Sequence, residues 1–110
     1  ELSTQAIGRA GEFQAAAIFE VHGITTTHVD LYGSDLWCET PSGRRISVQV
    51  KATQTPRLYG KHKTPRHVFQ LRSGQERKAD VYCFVALDKS LFRLFSASEV
   101  SRCSTRTIPA

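Results

Sequence analysis

Three polar residues offer the chain's best candidates for chemistry: Asp35, Gln49 and Lys51. Gln49 and Lys51 stand two apart in a stretch that alternates Ile46, Val48 and Val50 with Ser47, Gln49 and Lys51. In an extended strand that alternation puts all the polar members on one face. A hard divalent cation such as Mg2+ takes oxygen ligands, which the Asp35 carboxylate and the Gln49 amide carbonyl supply. Such an ion polarises a scissile phosphate and lowers the pKa of a bound water. The Lys51 ammonium would orient that water or offset charge growing on the phosphorus. Together these groups suit phosphodiester cleavage.

The elements that must bring them together are two strands and a turn. Pro41-Ser42-Gly43 reads as a three-residue hairpin loop, with glycine in the left-handed position that such loops end on. That loop pairs Thr40 with Arg44. Counting back sets Cys38 against Ile46 and Leu36 against Val48, both apolar pairs on one face. The opposite face then pairs Glu39 with Arg45, Trp37 with Ser47, and Asp35 with Gln49. Opposed residues have Cβ atoms about 5 Å apart. A one-residue slip would undo the arrangement, and the apolar matches argue against a slip.

Around this hairpin the chain reads as a helix over 4–22, capped by Ser3 or Thr4 and closed by Gly23. Its buried face is expected at Ile7, Ala10, Phe13 and Ala17. A first strand over Ile24–Thr27 and a turn at Leu31-Tyr32-Gly33-Ser34 lead to strands over Asp35–Thr40 and Arg44–Ala52. Residues 53–65, with Pro56, Gly60 and Pro65, read as an exposed loop. Strands follow over His67–Leu71, Asp80–Leu87 and Leu91–Phe95, the last two joined by a turn at Asp88-Lys89-Ser90. A helix over Ser96–Ser101 closes the chain, capped by Ser96 or Ser98. The result is one α/β domain over 1–110, with one core.

Charge is unevenly distributed. The net charge is +5, yet residues 1–43 carry six acidic and one basic side chain, while 44–78 carry ten basic and one acidic. A polarised basic third is the footprint of a protein that neutralises phosphates. Arg57, Lys61, Lys63 and Arg66, interleaved with Tyr59 and His62, read as a loop tracking backbone phosphates, to which Arg44 and Arg45 add. No apolar run is long enough to span a bilayer, and no charged-then-apolar leader opens the chain. The chain starts at Glu1 and lacks methionine, as a processed chain or an excised domain would. Cys38, Cys83 and Cys103 have neither paired zinc-site spacing nor an even count, so they read as free thiols, the first two in the core. Cytoplasmic or nucleoid localisation is the matching expectation.

The ordered set Gly11-Glu12, Ser34-Asp35-Leu36 and Val48-Gln49-Val50-Lys51-Ala52 resembles the PD-(D/E)XK nuclease superfamily. The later Ala79-to-Val85 and Leu91-to-Phe95 stretches are similar to the last core strands of its small members. Those include Holliday junction resolvases and compact bacterial homing endonucleases. The resemblance spans about 90 of the 110 residues; its motifs are short, and their order and spacing carry it. It implies a restriction-endonuclease-like core, a central mixed sheet flanked by helices. It also implies Asp35 as central metal ligand, Lys51 as catalytic lysine and Glu12 as a helix-borne acid serving the metal, Mg2+ or Mn2+. Gln49 departs from the usual Asp or Glu of that position, as in the homing-endonuclease branch. Asp30 is an alternative ligand and an equally good turn residue.

The expected activity is metal-dependent DNA hydrolysis on duplex or branched DNA, by a homodimer or larger symmetric assembly, because two strands call for two sites. The rival readings are a nuclease-fold module that binds nucleic acid without cutting, and an assembly domain meeting an acidic partner. His62 and His67 lack metal spacing, His22 and His28 read as structural, and no glycine-rich nucleotide loop is present.

Overall fold

In the computed structural model, which describes residues 3–31, 34–70, 79–100 and 105–109, the chain opens with helix α1, Thr4–Val21. Ser3 caps it, its hydroxyl accepting from the Ala6 N–H at 3.1 Å. Gly23, at φ +80°, ends it in the left-handed conformation. The buried face differs from expectation. Gly11, Ala15 and Phe19 are buried, one residue per turn, while Phe13 and Ala17 are exposed. The smallest residues decide this. A Cβ at Gly11 would land on the Ala52 Cβ, so the helix backbone rests directly on the sheet there. Phe13 lies at the rim instead, its ring 4.8 Å from that of His28.

Strands β1 (Thr25–Leu31), β2 (Ser34–Glu39) and β3 (Arg45–Thr53) form a meander. Next come β4 (Arg57–Tyr59), β5 (Thr64–Gln70), β6 (Val81–Ala86) and β7 (Leu91–Ser96). The chain ends with the short helix α2 (Ala97–Val100) and β8 (Thr105–Pro109). The main sheet runs β1-β2-β3-β6-β7, with only β3–β6 parallel, so it is a mixed sheet in an α/β fold. A second, antiparallel sheet runs β4-β5-β8.

Strand β6 explains the layering. Tyr82 to Ala86 are all buried, as a strand covered on both faces must be. Cys83 and Val85 join Val48, Val50, Leu36 and Cys38 under α1. Tyr82 and Phe84 face the other way, onto Phe69 of β5, Ile108 of β8 and Val100 of α2. The Phe84 and Phe69 rings stack at 4.9 Å. Buried residues thus fall into two clusters, one on each face of the main sheet, where a single core was expected. Cys38 and Cys83 are free and buried, and burial pushes both thiols up from their ordinary pKa.

Two other expectations change. Residues 53–65 are not a plain loop, because 57–59 pair with 64–66 as a hairpin. Thr105–Pro109 was not anticipated as a strand, and it pairs with β5. The closing helix is only four residues long, held by a reciprocal box in which Ser96 accepts from Glu99 N–H and Glu99 from Ser96 N–H. The centre of the Leu31–Ser34 turn, Leu71, Ser101 and Cys103 lie outside the described residues. No helix among the described residues is long and apolar enough to cross a membrane.

Helix seating gives a paired test. Gly11→Ala should destabilise by about 1–3 kcal/mol through overpacking against a backbone-borne neighbour. Gly8→Ala, with nothing within 4 Å of its new methyl, should stabilise by about 0.5–1 kcal/mol. Urea unfolding of both variants checks the pair, and equal shifts would mean that α1 is not seated on Ala52.

Candidate active site

The β2–β3 hairpin has the register expected from its turn. Gly43 takes φ +89°, and the Thr40 N–H donates to the Arg44 carbonyl at 2.8 Å. Leu36 faces Val48, Trp37 faces Ser47, Cys38 faces Ile46 and Glu39 faces Arg45. The backbone pairing ends at Leu36–Val48, one rung before Asp35. In an antiparallel ladder every second residue points its N–H across, so Val50 follows Arg44, Ile46 and Val48 in doing so. Its N–H is received by the Asp35 carboxylate, Oδ2, at 2.8 Å. Asp35 therefore continues the ladder with its side chain, and is held where the two strands part.

Gln49 is half-buried in β3, beside Tyr82 of β6. Its amide oxygen is buried and has no hydrogen-bond partner among the described residues. An orphaned buried acceptor costs about 1–3 kcal/mol. Lys51, also half-buried, follows two residues on along the same face, beside Phe84. Glu12, half-buried in α1, directly follows Gly11, whose backbone lies against Ala52 and Val50. The helix thus runs past β3 at the level of Lys51, but on the sheet face of Val48 and Val50, whereas Gln49 and Lys51 alternate to the other face.

The remaining candidates lie elsewhere. Arg44 and Arg45 sit at the turn end of the hairpin, and Arg45 is four residues from Gln49, roughly 13 Å along the strand. Arg45 bonds Glu39 at 3.3 Å, an exposed pair of little energetic weight. Arg57, Lys61, Lys63 and Arg66 belong to the β4–β5 hairpin of the second sheet. The Asp30 side chain lies outside what is described. His67 is fully buried, with Nε2 2.7 Å from the partly exposed Asp88 carboxylate.

Two features escaped the sequence reading. Asp80 takes the Ser47 N–H and hydroxyl on Oδ2, and its own N–H donates back to Ser47. That exchange clamps the start of β6 to β3 two residues before Gln49. The only sequence signal is a lone acid heading the most apolar run. Trp37, about half exposed, lines a groove of about 500 Å³ with Thr25, Thr27, Glu39, Arg45 and Asp80. The groove covers the Trp37–Ser47, Cys38–Ile46 and Glu39–Arg45 rungs, toward the turn end of the hairpin, and Asp35, Gln49 and Lys51 do not line it.

The oxygens of Asp35, Gln49 and Glu12 suit a hard cation. Among the described residues no group of three His, Cys, Asp or Glu side chains is placed to hold a metal ion. The Asp35 carboxylate and the buried, unpartnered Gln49 Oε1 are oxygen donors of the kind Mg2+ or Mn2+ takes.

Neither a family model nor a curated protein sequence matches the chain. Among solved structures, the whole chain superposes on 78% of a bacterial homing endonuclease, I-Ssp6803I, with a TM-score of 0.80 and 20% identity. At that identity the likeness is one of fold. The chain has a homing-endonuclease-like fold.

Asp35 also has a measurable structural role. Asp35→Ala leaves the Val50 N–H without its acceptor and should lower stability by about 1–3 kcal/mol, whereas Asp35→Asn keeps an acceptor and should cost less. Thermal melting of both variants distinguishes them, and identical melting would show that the bond contributes nothing.

Proposed function

We propose that this chain is a divalent-metal-dependent DNA endonuclease of the PD-(D/E)XK superfamily, with Asp35, Gln49, Lys51 and Glu12 as its active site. The observation that carries the reading is the buried, unpartnered Gln49 amide oxygen one rung beyond the last β2–β3 pair, where Asp35 is held. The likeness to a homing endonuclease over the full chain supports it.

In this reading Asp35, Gln49 and Glu12 hold the cation. When bound, the cation supplies Lewis-acid polarisation of the phosphate and eases deprotonation of the attacking water. Lys51 opposes the charge that develops on the phosphate oxygens, and its half-buried position strengthens that effect over one in bulk water. Asp80, committed to Ser47, keeps β3 and β6 in register beneath these groups. Cutting both strands of a duplex takes two such domains, so the working form is a homodimer or larger symmetric assembly.

Supercoiled plasmid and a synthetic four-way junction test this directly. Cutting is expected in Mg2+ or Mn2+ and not in EDTA, with Asp35→Asn and Lys51→Ala each slower by about 10²–10³-fold. DNA binding by the wild type without cutting, on a target library as well as on these substrates, would leave a nucleic-acid-binding module. The neutral Gln49 amide is the feature that favours that second reading.

Gln49→Glu separates the two. An added carboxylate should lower the Mg2+ concentration for half-maximal cutting roughly tenfold, about 1.4 kcal/mol of binding. Mn2+ titration followed by electron paramagnetic resonance reads the same affinity without catalysis. No change in either would remove Gln49 from the metal site.

A further inference from the structure

The β4–β5 hairpin is a paired ribbon in which every residue from Arg57 to Pro65 is exposed. A hairpin that buries so little of itself gains almost nothing from the core, and isolated two-stranded ribbons are marginal in water. Its conformation is nonetheless specified. Gly60 at φ +81° and Lys63 at φ +54° shape the tip, and Lys63 N–H closes on the Gly60 carbonyl at 3.2 Å.

Its side chains are sorted by the pleat. Arg57 pairs with Arg66, and Tyr59 with Thr64, on one face, while Leu58 pairs with Pro65 on the other. Like charges directly opposed across a ladder destabilise it. No ion pair among the described residues involves Arg57, Lys61, Lys63 or Arg66, and no acid lies between residues 40 and 75 of the sequence. Arg66 is held by Thr107 of β8, its Nε donating to the hydroxyl and Nη2 to the carbonyl. Three of its five N–H groups remain to be used, on a guanidinium already oriented. A cationic face with opposed arginines is relieved by a polyanion.

The shape selects a site on that polyanion. Two strands about 4.8 Å apart, with side chains, fit a major groove about 12 Å wide and not a minor groove about 6 Å wide. Arginine pairs with the O6 and N7 acceptors of guanine there, and an aromatic edge meets the thymine methyl. We propose that the β4–β5 arm enters the major groove of duplex DNA and reads base edges through Arg57, Tyr59 and Arg66, while Lys61 and Lys63 hold phosphates at the tip. The inference rests on the reading of the chain as a DNA nuclease. It assigns sequence recognition to the second sheet and leaves cutting to the first.

Binding in EDTA, where no cutting interferes, tests it by fluorescence anisotropy. The probes are a plain duplex and the same duplex with glucosylated 5-hydroxymethylcytosine, which fills the major groove. The wild type should bind the glucosylated duplex about tenfold or more weakly, and netropsin, a minor-groove ligand, should leave binding to an A·T-rich duplex unchanged. Arg57→Gln with Tyr59→Ala should bind both duplexes alike. These positions are exposed, and circular dichroism verifies the fold. Arg44→Gln with Arg45→Gln, at the far hairpin, should weaken both and keep the ratio. Equal wild-type binding to the two duplexes would overturn the arm's role while metal-dependent plasmid cutting stands. Absence of both DNA binding and cutting would overturn the nuclease reading and the arm together.

Discussion

The register of the β2–β3 hairpin is the constraint on which the site depends. Side chains alternate with a period of two, so every polar residue on this pair changes face if the pairing moves by one. The register is held from three directions. Gly43 sets the turn in a conformation that other residues adopt only with strain. Leu36–Val48 and Cys38–Ile46 bury apolar pairs under α1, so a slip would expose them. At the open end the Asp35 carboxylate accepts the Val50 N–H, and at the other side of β3 Asp80 grips Ser47. The groups proposed for chemistry are thus framed by interactions that are themselves structural.

That arrangement explains why the hairpin that frames the candidate site was legible. The turn, the alternation and the apolar matches are local, within sixteen residues from Asp35 to Val50, and each implies the same pairing. What failed to show was long-range or small. The buried face of α1 was misjudged because hydrophobicity points to Phe13, whereas close approach selects Gly11 and Ala15. Size, not polarity, decides which side of a helix can touch a sheet. β4 is three residues long and flanked by breakers, and β8 ends in proline, so both need their partner β5 to exist as strands. The Ser47–Asp80 clamp spans 33 residues and has no local signature. Assignment of Glu12 rested on resemblance, and the structure adds only that α1 passes β3 at the level of Lys51, on the sheet face of Val48 and Val50.

Two sheets divide the labour of the proposed function. The main sheet is buried on both sides around β6, as rigid support for a site that must hold its geometry to fractions of an ångström. The second sheet is anchored by Phe69 and Ile108 in the shared core, yet its outer hairpin stands in solvent. Phosphate and base contacts tolerate, and use, an element that is specified in shape but unpaid by burial. The cationic side chains are separated accordingly, with Arg44 and Arg45 at one end of the body and the β4–β5 residues on the arm.

In the proposed site, Gln49 is where stability and function would pull against each other. A buried amide oxygen with no partner is a cost that a hydrophobic residue at this position would avoid. A glutamate would bind a cation more strongly, but beside Asp35 it would place two carboxylates close together, and one would resist ionising in the absence of metal. An amide avoids that repulsion beside the Asp35 carboxylate that accepts from Val50. In the proposed site the consequence would be weaker metal binding, with one fewer negative charge. If the proposed site holds a cation, an amide at this position trades affinity for a hairpin that stays in register without it, and the orphaned oxygen would be the trace of that compromise.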